Sequence, residues 1–207
     1  MSAERRTKRK YELKQRADEM ARTRTRITEA AVQLHGTVGP ARTTISAIAE
    51  QAGVQRHTVY RHFPSEGDLY GACSAHYFTA NPLPDPEPWR AITDPRERLR
   101  QALDDLYAYY ERTEPMLTNV FRDRDLVDAL PPAIVPLEQY LAQAAELLAA
   151  GRHARGSTRR LLAAALGHVL DFNSWRSLTD NTGITRTDAV HLATALVDAA
   201  APLPAVA

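Results

Sequence analysis

Apolar residues recur at three- and four-residue steps along nearly the whole of this chain, and no stretch alternates with period two for long enough to build a strand. That pattern predicts an all-α fold. Leu13, Ala17, Met20, Ile27, Ala31 and Leu34 set out one long helix over 4–35, with Arg24 interrupting the seam and marking off what precedes it as an arm. "GTVGP", from Gly36 to Pro40, breaks the chain. A short helix follows in "TTISAIAEQAG": Thr43 or Thr44 caps it, Ile45, Ile48, Ala49 and Ala52 form its apolar face, and Gly53 ends it. Ser65, with Asp68 three residues on, opens another helix, whose inner face is Leu69, Ala72, Cys73, His76 and Tyr77.

Pro82, Pro84, Pro86 and Pro88 stand at alternate positions, which predicts an extended linker over 81–93 and a domain boundary there. Beyond it, Asp94–Pro95 opens a helix carrying Leu99, Ala102, Leu103, Leu106 and Tyr110 on one face. Pro115 is expected to start the next, and Pro131–Pro132 a third that runs to Gly151. Arg160–Trp175 is apolar nearly all round, so burial on more than one side is expected, and Thr187–Ala201 makes the last helix. The expectation is about nine helices, divided as an arm (1–24), a head (25–80), the linker (81–93) and a helical-bundle body (94–207).

Cys73 is the only cysteine, which excludes an internal disulfide and suits a reducing cytoplasm. The N-terminus lacks an apolar signal region, and no apolar run reaches the roughly 18 residues of a membrane span, so a soluble cytoplasmic protein with no membrane partner is expected. Charge is divided unevenly. Residues 1–64 hold 13 Lys/Arg and 6 Asp/Glu, a net +7; residues 65–207 hold 13 and 19, a net −6. A basic head on an acidic body points to a polyanionic partner for the head alone.

The stretch "VQRHTVYRHF" explains that charge. Helix, sharp turn at Gly53–Val54 and second short helix make a helix-turn-helix pattern. A helix that enters the major groove needs donors and acceptors along one side and an apolar anchor on the other. Val59 and Phe63 are the anchor. Gln55, Arg56 and His57 sit at the N-terminal end, where side chains reach bases, while Thr58, Tyr60, Arg61 and His62 can reach phosphates.

At these residues the sequence resembles a known family. "TTISAIAEQAGVQRHTVYRHFPSEGDLY" is similar to the DNA-binding head of TetR-type transcriptional regulators, over roughly residues 25–78. The resemblance implies an all-helical homodimer whose three-helix head binds operator DNA and whose C-terminal domain takes a small-molecule effector and the partner subunit. Carried over by position, Thr44, Thr58, Tyr60 and His62 would contact phosphate, and Ser46, Gln55, Arg56, His57 and Tyr60 would face base edges. One departure stands out. The family has Lys then Glu after the capping serine, whereas this chain has Glu66–Gly67, so a phosphate-binding lysine is replaced by an acid.

The arm from Glu4 to Arg26 carries 10 Lys/Arg against 4 Asp/Glu, and can add contacts to the DNA backbone or minor groove. In the body, small residues Ala163, Ala164, Ala165, Gly167, Ala193 and Ala195 allow close helix approach and point to a four-helix dimer bundle. Tyr107, Tyr110, Asn119, Phe121, His168, Phe172, Asn173 and Trp175 are aromatic or polar groups in otherwise apolar helices, and are the candidates for an effector pocket. No nucleotide-binding, hydrolase or metalloprotease motif is present, so no catalytic residue, cofactor or metal is expected. His168 and Asp171 are spaced as a metal pair but lack a third ligand, and Asp123, Asp125 and Asp128 read as a solvated face. The expected function is a transcriptional regulator that binds a palindromic operator as a dimer and is released by a small hydrophobic effector. Repression is the commoner outcome in the resembling family. An architectural DNA-binding protein whose body only dimerises, or an enzyme with a DNA-binding head, are the competing readings.

Overall fold

The computed structural model describes residues 2–180 and 182–203, with side chains from Lys10 onward. All regular structure among them is helical: α1 (Ser2–Thr37), a 3-10 turn (Pro40–Arg42), α2 (Ile45–Gln51), α3 (Arg56–His62), α4 (Glu66–Ala80), α5 (Glu87–Ala91), α6 (Pro95–Asp123), α7 (Pro131–Ala149), α8 (Gly156–Leu170), α9 (Phe172–Thr179) and α10 (Arg186–Ala200). The chain forms two compact units. One comprises residues 1–80 and 118–133, the other 81–117 and 134–207. Residues 118–133, at the C-terminal end of α6 and the turn after it, thus cluster with the head.

The head is built as its sequence dictates. Ile27, Ala30 and Ala31 of α1, Ile48, Ala49 and Ala52 of α2, Val59 and Phe63 of α3, and Leu69 and Cys73 of α4 form one buried cluster. Thr44 caps α2 by accepting from Ala47 N–H at 3.1 Å. Ser65 and Asp68 cap α4 reciprocally: Asp68 N–H donates to Ser65 Oγ at 3.1 Å, and Ser65 N–H donates to Asp68 Oδ2 at 3.0 Å. The Ser65 hydroxyl, donating to Asp68 Oδ2 at 2.7 Å, and then the Ser65 N–H hold the Asp68 carboxyl below its ordinary pKa.

The end of α6 is fastened to the turn after α1. Asn119 Nδ2 donates to the carbonyls of His35 (3.1 Å) and Gly36 (3.0 Å), satisfying two acceptors that the end of α1 leaves open. Arg122 Nη2 donates to the Val38 carbonyl, and Asp123 Oδ2 accepts from Ala41 N–H at 3.0 Å. Asp123 is 2 % exposed, so it is no part of a solvated face, although Asp125 and Asp128 are exposed. Its burial is tolerated because Arg122 pairs with it at 2.7 Å, which also keeps the carboxyl ionised. His35, buried alongside, stacks on Tyr70 with ring centroids 5.1 Å apart.

Three local expectations are corrected. Pro115 starts no helix; it lies inside α6, at an exposed position where the Glu111 carbonyl that it leaves without a donor can meet solvent. The proline run is not wholly extended either, since α5 forms within it. Pro86 and Pro88 occupy the cap and first turn, where the missing N–H costs nothing, and Trp89 anchors the turn by burial and by donating from Nε1 to Asp105 at 2.7 Å. Finally, Arg160–Trp175 is two helices. Asp171 adopts ψ 136°, ends α8 and caps α9 by accepting from Ser174 N–H at 2.8 Å. Nor is α8 buried all round, because Leu161, Ala163, Ala164, Gly167 and His168 are exposed.

Two measurements test this account of the head. Burial holds the His35 imidazole down to about 4, against an opposing pull from Asp123. The unfolded chain therefore takes up this proton near pH 6.5 and the folded chain only near 4. Stability should be full above pH 6.5 and fall by roughly 3 kcal/mol as the pH drops through that window. Urea melts of His35→Phe, which keeps the stack, should lack that part of the decline; an identical pH profile would remove His35 from the account. The second measurement uses two glycines with positive φ. A Cβ at Gly53 (φ +65°) meets nothing, so Gly53→Ala should cost only the backbone term, about 1 kcal/mol. At Gly39 (φ +96°) the Cβ would collide with Arg122 and Asp123, and Gly39→Ala should cost about 3 kcal/mol. Equal losses would contradict the packing.

Candidate nucleic-acid interface

The interface is built on α3, which has only seven residues and would not hold a helix alone. Val59 (0 % exposed) and Phe63 (3 %) fix its inner side in the head core. At its C-terminal end Arg24 of α1 lies over the Phe63 ring, 4.1 Å from the centroid, and donates from Nη1 to the His62 carbonyl at 2.5 Å. One guanidinium thus covers the anchor and satisfies an open helix carbonyl. At the other end Gly53 carries the chain round the turn with φ +65°, and Val54 N–H donates to the Ala49 carbonyl at 2.9 Å.

With the inner side fixed, the polar side has one direction left. Gln55, Arg56, His57, Tyr60 and Arg61 are exposed, as are Thr44 and Ser46 at the start of α2; Thr58 is half-buried. Thr44 Oγ1 accepts from Ala47 N–H, which leaves its own O–H to donate outward. His62 differs from the rest. The residue is 9 % exposed, its Nε2 is buried without a protein partner, and burial, then Arg61 and Arg24, lower its pKa. No acidic side chain occurs between Gln51 and Ser65, so the exposed surface of α3 is purely cationic and neutral. Glu66 is exposed at the start of α4, and Gly67 beside it has room for a side chain.

The eight candidate pocket residues separate. Tyr107, Tyr110, Phe172 and Trp175 come together in one buried aromatic cluster, with Tyr110 5.4 Å from Phe172 and 5.6 Å from Trp175. Their polar atoms are largely used within the fold: the Tyr107 hydroxyl donates to the Val169 carbonyl at 2.9 Å and the Tyr110 hydroxyl to that of Leu170 at 2.5 Å. Desolvation raises both phenol pKa values, so both remain donors across the ordinary pH range. Trp175 also lines a surface cleft of about 290 Å³ with Glu111, Glu114, Thr179, Asp180, Ile184 and Arg186. Asn119 and Phe121 belong to the head unit instead, and His168 and Asn173 are exposed. Sequence reasoning missed Arg24, which it read as a flaw in the α1 seam. The signal was there: a cation in an apolar seam, in a segment whose short polar helix is followed by Phe63, asks for an aromatic face.

Ser174 Oγ lies between Asp171 Oδ1 (3.2 Å) and His168 Nδ1 (3.1 Å). In a hydrolytic triad the histidine stands between serine and acid, so that it can take the serine proton with the acid behind it. Here the serine is in the middle and the trio is a helix cap. Among the described residues no three His, Cys, Asp or Glu side chains gather as metal ligands, and no helix is long and apolar enough to cross a membrane.

Residues 27–73 match the family model described as bacterial regulatory proteins, tetR family. Comparison with curated proteins by sequence finds no match. Among solved structures, a Mesorhizobium loti protein assigned to the TetR-family transcriptional regulators is similar with a TM-score of 0.60 at 21% identity, over 87% of this chain and 96% of that one. The fatty acid degradation regulator FadR of Bacillus halodurans gives 0.59 at 19% identity, over 84% and 93%. The TetR-family regulator PfmR of Thermus thermophilus gives 0.57 at 20% identity, over 86% and 97%. Residues 27–73 of this chain therefore match the model of the tetR-family head, on a fold that the chain shares over most of its length with solved structures of TetR-family transcriptional regulators.

Proposed function

We propose that the protein is a dimeric transcriptional repressor that reads a palindromic operator through α3 and is released by a small hydrophobic effector held in the body. The observation that carries the DNA-binding part is the exposed, acid-free polar side of α3 on a rigidly anchored helix. In this reading Arg56, Gln55, His57, Ser46 and Tyr60 meet base edges, and Thr44, Thr58, Arg61 and His62 serve the phosphates. Two exposed apolar faces support the dimer. On α10, Leu192 (54 % exposed) and Leu196 (45 %) flank Ala195 and Ala199; on α8, Leu161 (57 %) accompanies Ala164 and Gly167. The two helices are neighbours in one unit, so their combined face suits a four-helix contact with a second copy. In this reading the acidic body takes no part in holding DNA, and the cleft beside Trp175 marks where the aromatic cluster of the body is reached from solvent.

Readout is tested by binding selections. If Arg56 pairs with a guanine edge, Arg56→Ala should cost about 1–3 kcal/mol and relax preference at one symmetric pair of positions. Unchanged sequence preference would sink that assignment. Glu66→Lys, which restores the basic group that TetR-type heads resembling this one carry after the capping serine, should tighten binding to all duplexes alike and steepen the salt dependence by about two units for two subunits. Effector control is tested by titrating operator binding against hydrophobic compounds. A compound that prefers one body shape must weaken DNA binding and be weakened by DNA by one shared factor, on the order of 5- to 150-fold. Tight binders that all leave operator affinity unchanged would favour an architectural protein.

A further inference from the structure

The helix that carries Arg24 does not stop at the head. Starting from the Arg24 contact at the C-terminal end of α3, α1 continues toward its N-terminus for another six turns to Ser2, about 33 Å at 1.5 Å per residue. Every side chain from Lys10 to Arg22 is exposed, including Tyr11 (67 %), Leu13 (57 %) and Met20 (57 %). A helix this polar and this exposed is not held by the core, yet its residues are not scattered at random around it. Lys10, then Leu13 or Lys14, then Ala17, Met20 and Arg24 recur at three- and four-residue steps and continue into Ile27 and Ala31, so they form one stripe that runs into the side on which α1 meets the head. The stripe from Lys10 to Arg24 holds no acid: Glu12 and Glu19 lie across the helix from it, Glu12 in line with Ala30, and Asp18 stands at its border. It is also the stripe from which Arg24 reaches α3.

We propose that the arm of α1 is a second DNA-contacting element, which lies against the sugar-phosphate backbone flanking each half-site. Charge complementarity commits it to a polyanion, and its continuity with the helix that holds the end of α3 commits that polyanion to the duplex that α3 reads. Lys10, Lys14 and the adjoining Arg16 supply phosphate contacts, while Leu13, Ala17 and Met20 lie over deoxyribose. The sequence of residues 2–9 adds Arg5, Arg6, Lys8 and Arg9 against Glu4. Contacts of this kind add affinity and extend the footprint, by up to about 10 base pairs per side, without adding sequence preference.

The inference rests on the DNA-binding reading of the head, and one set of binding curves separates the two. Duplexes selected from random sequence by the full chain are prepared with about 12 flanking base pairs on each side, and again trimmed to the site. Affinity is then followed against salt for the full chain, for a chain lacking residues 2–15, and for Lys10→Gln/Lys14→Gln/Arg16→Gln. On the flanked duplex, one to three phosphate contacts per subunit make the slope of log K on log salt shallower by roughly two to five units in both variants. On the trimmed duplex that difference should vanish. Glu12→Gln/Glu19→Gln, off the basic face, should not weaken binding. Because the head core begins at Ile27, neither variant should lower the thermal midpoint. Equal slopes for full and shortened chains on the flanked duplex overturn the arm and leave the head intact. A shortened chain that changes oligomeric state rather than salt slope shows the arm to be a contact between copies. A full chain that selects no duplex overturns both readings.

Discussion

Everything that α3 can do depends on its being held from both sides of one aromatic ring. Phe63 is the C-terminal cap of a helix of seven residues, too short to persist by its own hydrogen bonds. The head core grips one face of the ring and Arg24 covers another at 4.1 Å, while the same guanidinium closes the His62 carbonyl. Removing the ring would free the helix from its core; removing the guanidinium would uncover the ring and leave a helix end open. Once both are present, Val59 and Phe63 can only face inward, and Gln55, Arg56, His57, Tyr60 and Arg61 can only face outward. Specific readout of a groove requires that kind of fixed direction, because a side chain that wanders loses its discrimination between bases.

The head was legible in the sequence because its determinants are local. A threonine or serine cap, a glycine at positive φ and apolar residues at helical spacing each act within four residues, and the structure realises them at Thr44, Gly53 and Ser65. What could not be read is decided at long range. Pro115 looks like a helix start until its neighbours hold α6 together around it. Asp123 looks like a surface acid beside Asp125 until the turn after α1 supplies the Ala41 N–H, 82 residues away. The four alternate prolines forbid a long helix but not a single turn, and it is Asp105, well beyond them, that fixes Trp89. The α8–α9 break is local, yet Asp171 is hidden in an apolar run where periodicity alone carries straight through it.

That break also explains why pocket residues and packing residues could not be told apart. A helix end leaves carbonyls without partners, and the end of α8 is buried. Tyr107 and Tyr110 of α6 supply hydroxyl donors to Val169 and Leu170 and are themselves enclosed by Phe172 and Trp175. An aromatic group with a polar tip, placed in an apolar helix, is what a ligand cavity needs; it is equally what a buried helix end needs. Only the distance between the hydroxyl and the carbonyl decides, and no sequence pattern encodes that distance. Asn119 shows the same ambiguity: its amide, which could have oriented a ligand, closes the end of α1.

Charge division adds a constraint that the contacts do not show. The whole chain carries +1, so it has no general attraction for nucleic acid, yet residues 1–64 carry +7. At physiological salt the screening length is about 8 Å, so an approaching duplex feels the nearby charges and little of the total. Near α3 it meets an acid-free helix; residues 65–207, with their net −6, add no attraction. On the DNA-binding reading proposed above, encounter would thereby be biased toward the surface of α3, without the broad stickiness that a uniformly basic protein would have. Glu66 belongs to the same balance. On that same reading, an acid where a lysine would add one more phosphate contact would trim the sequence-independent part of the affinity and raise the share carried by base edges.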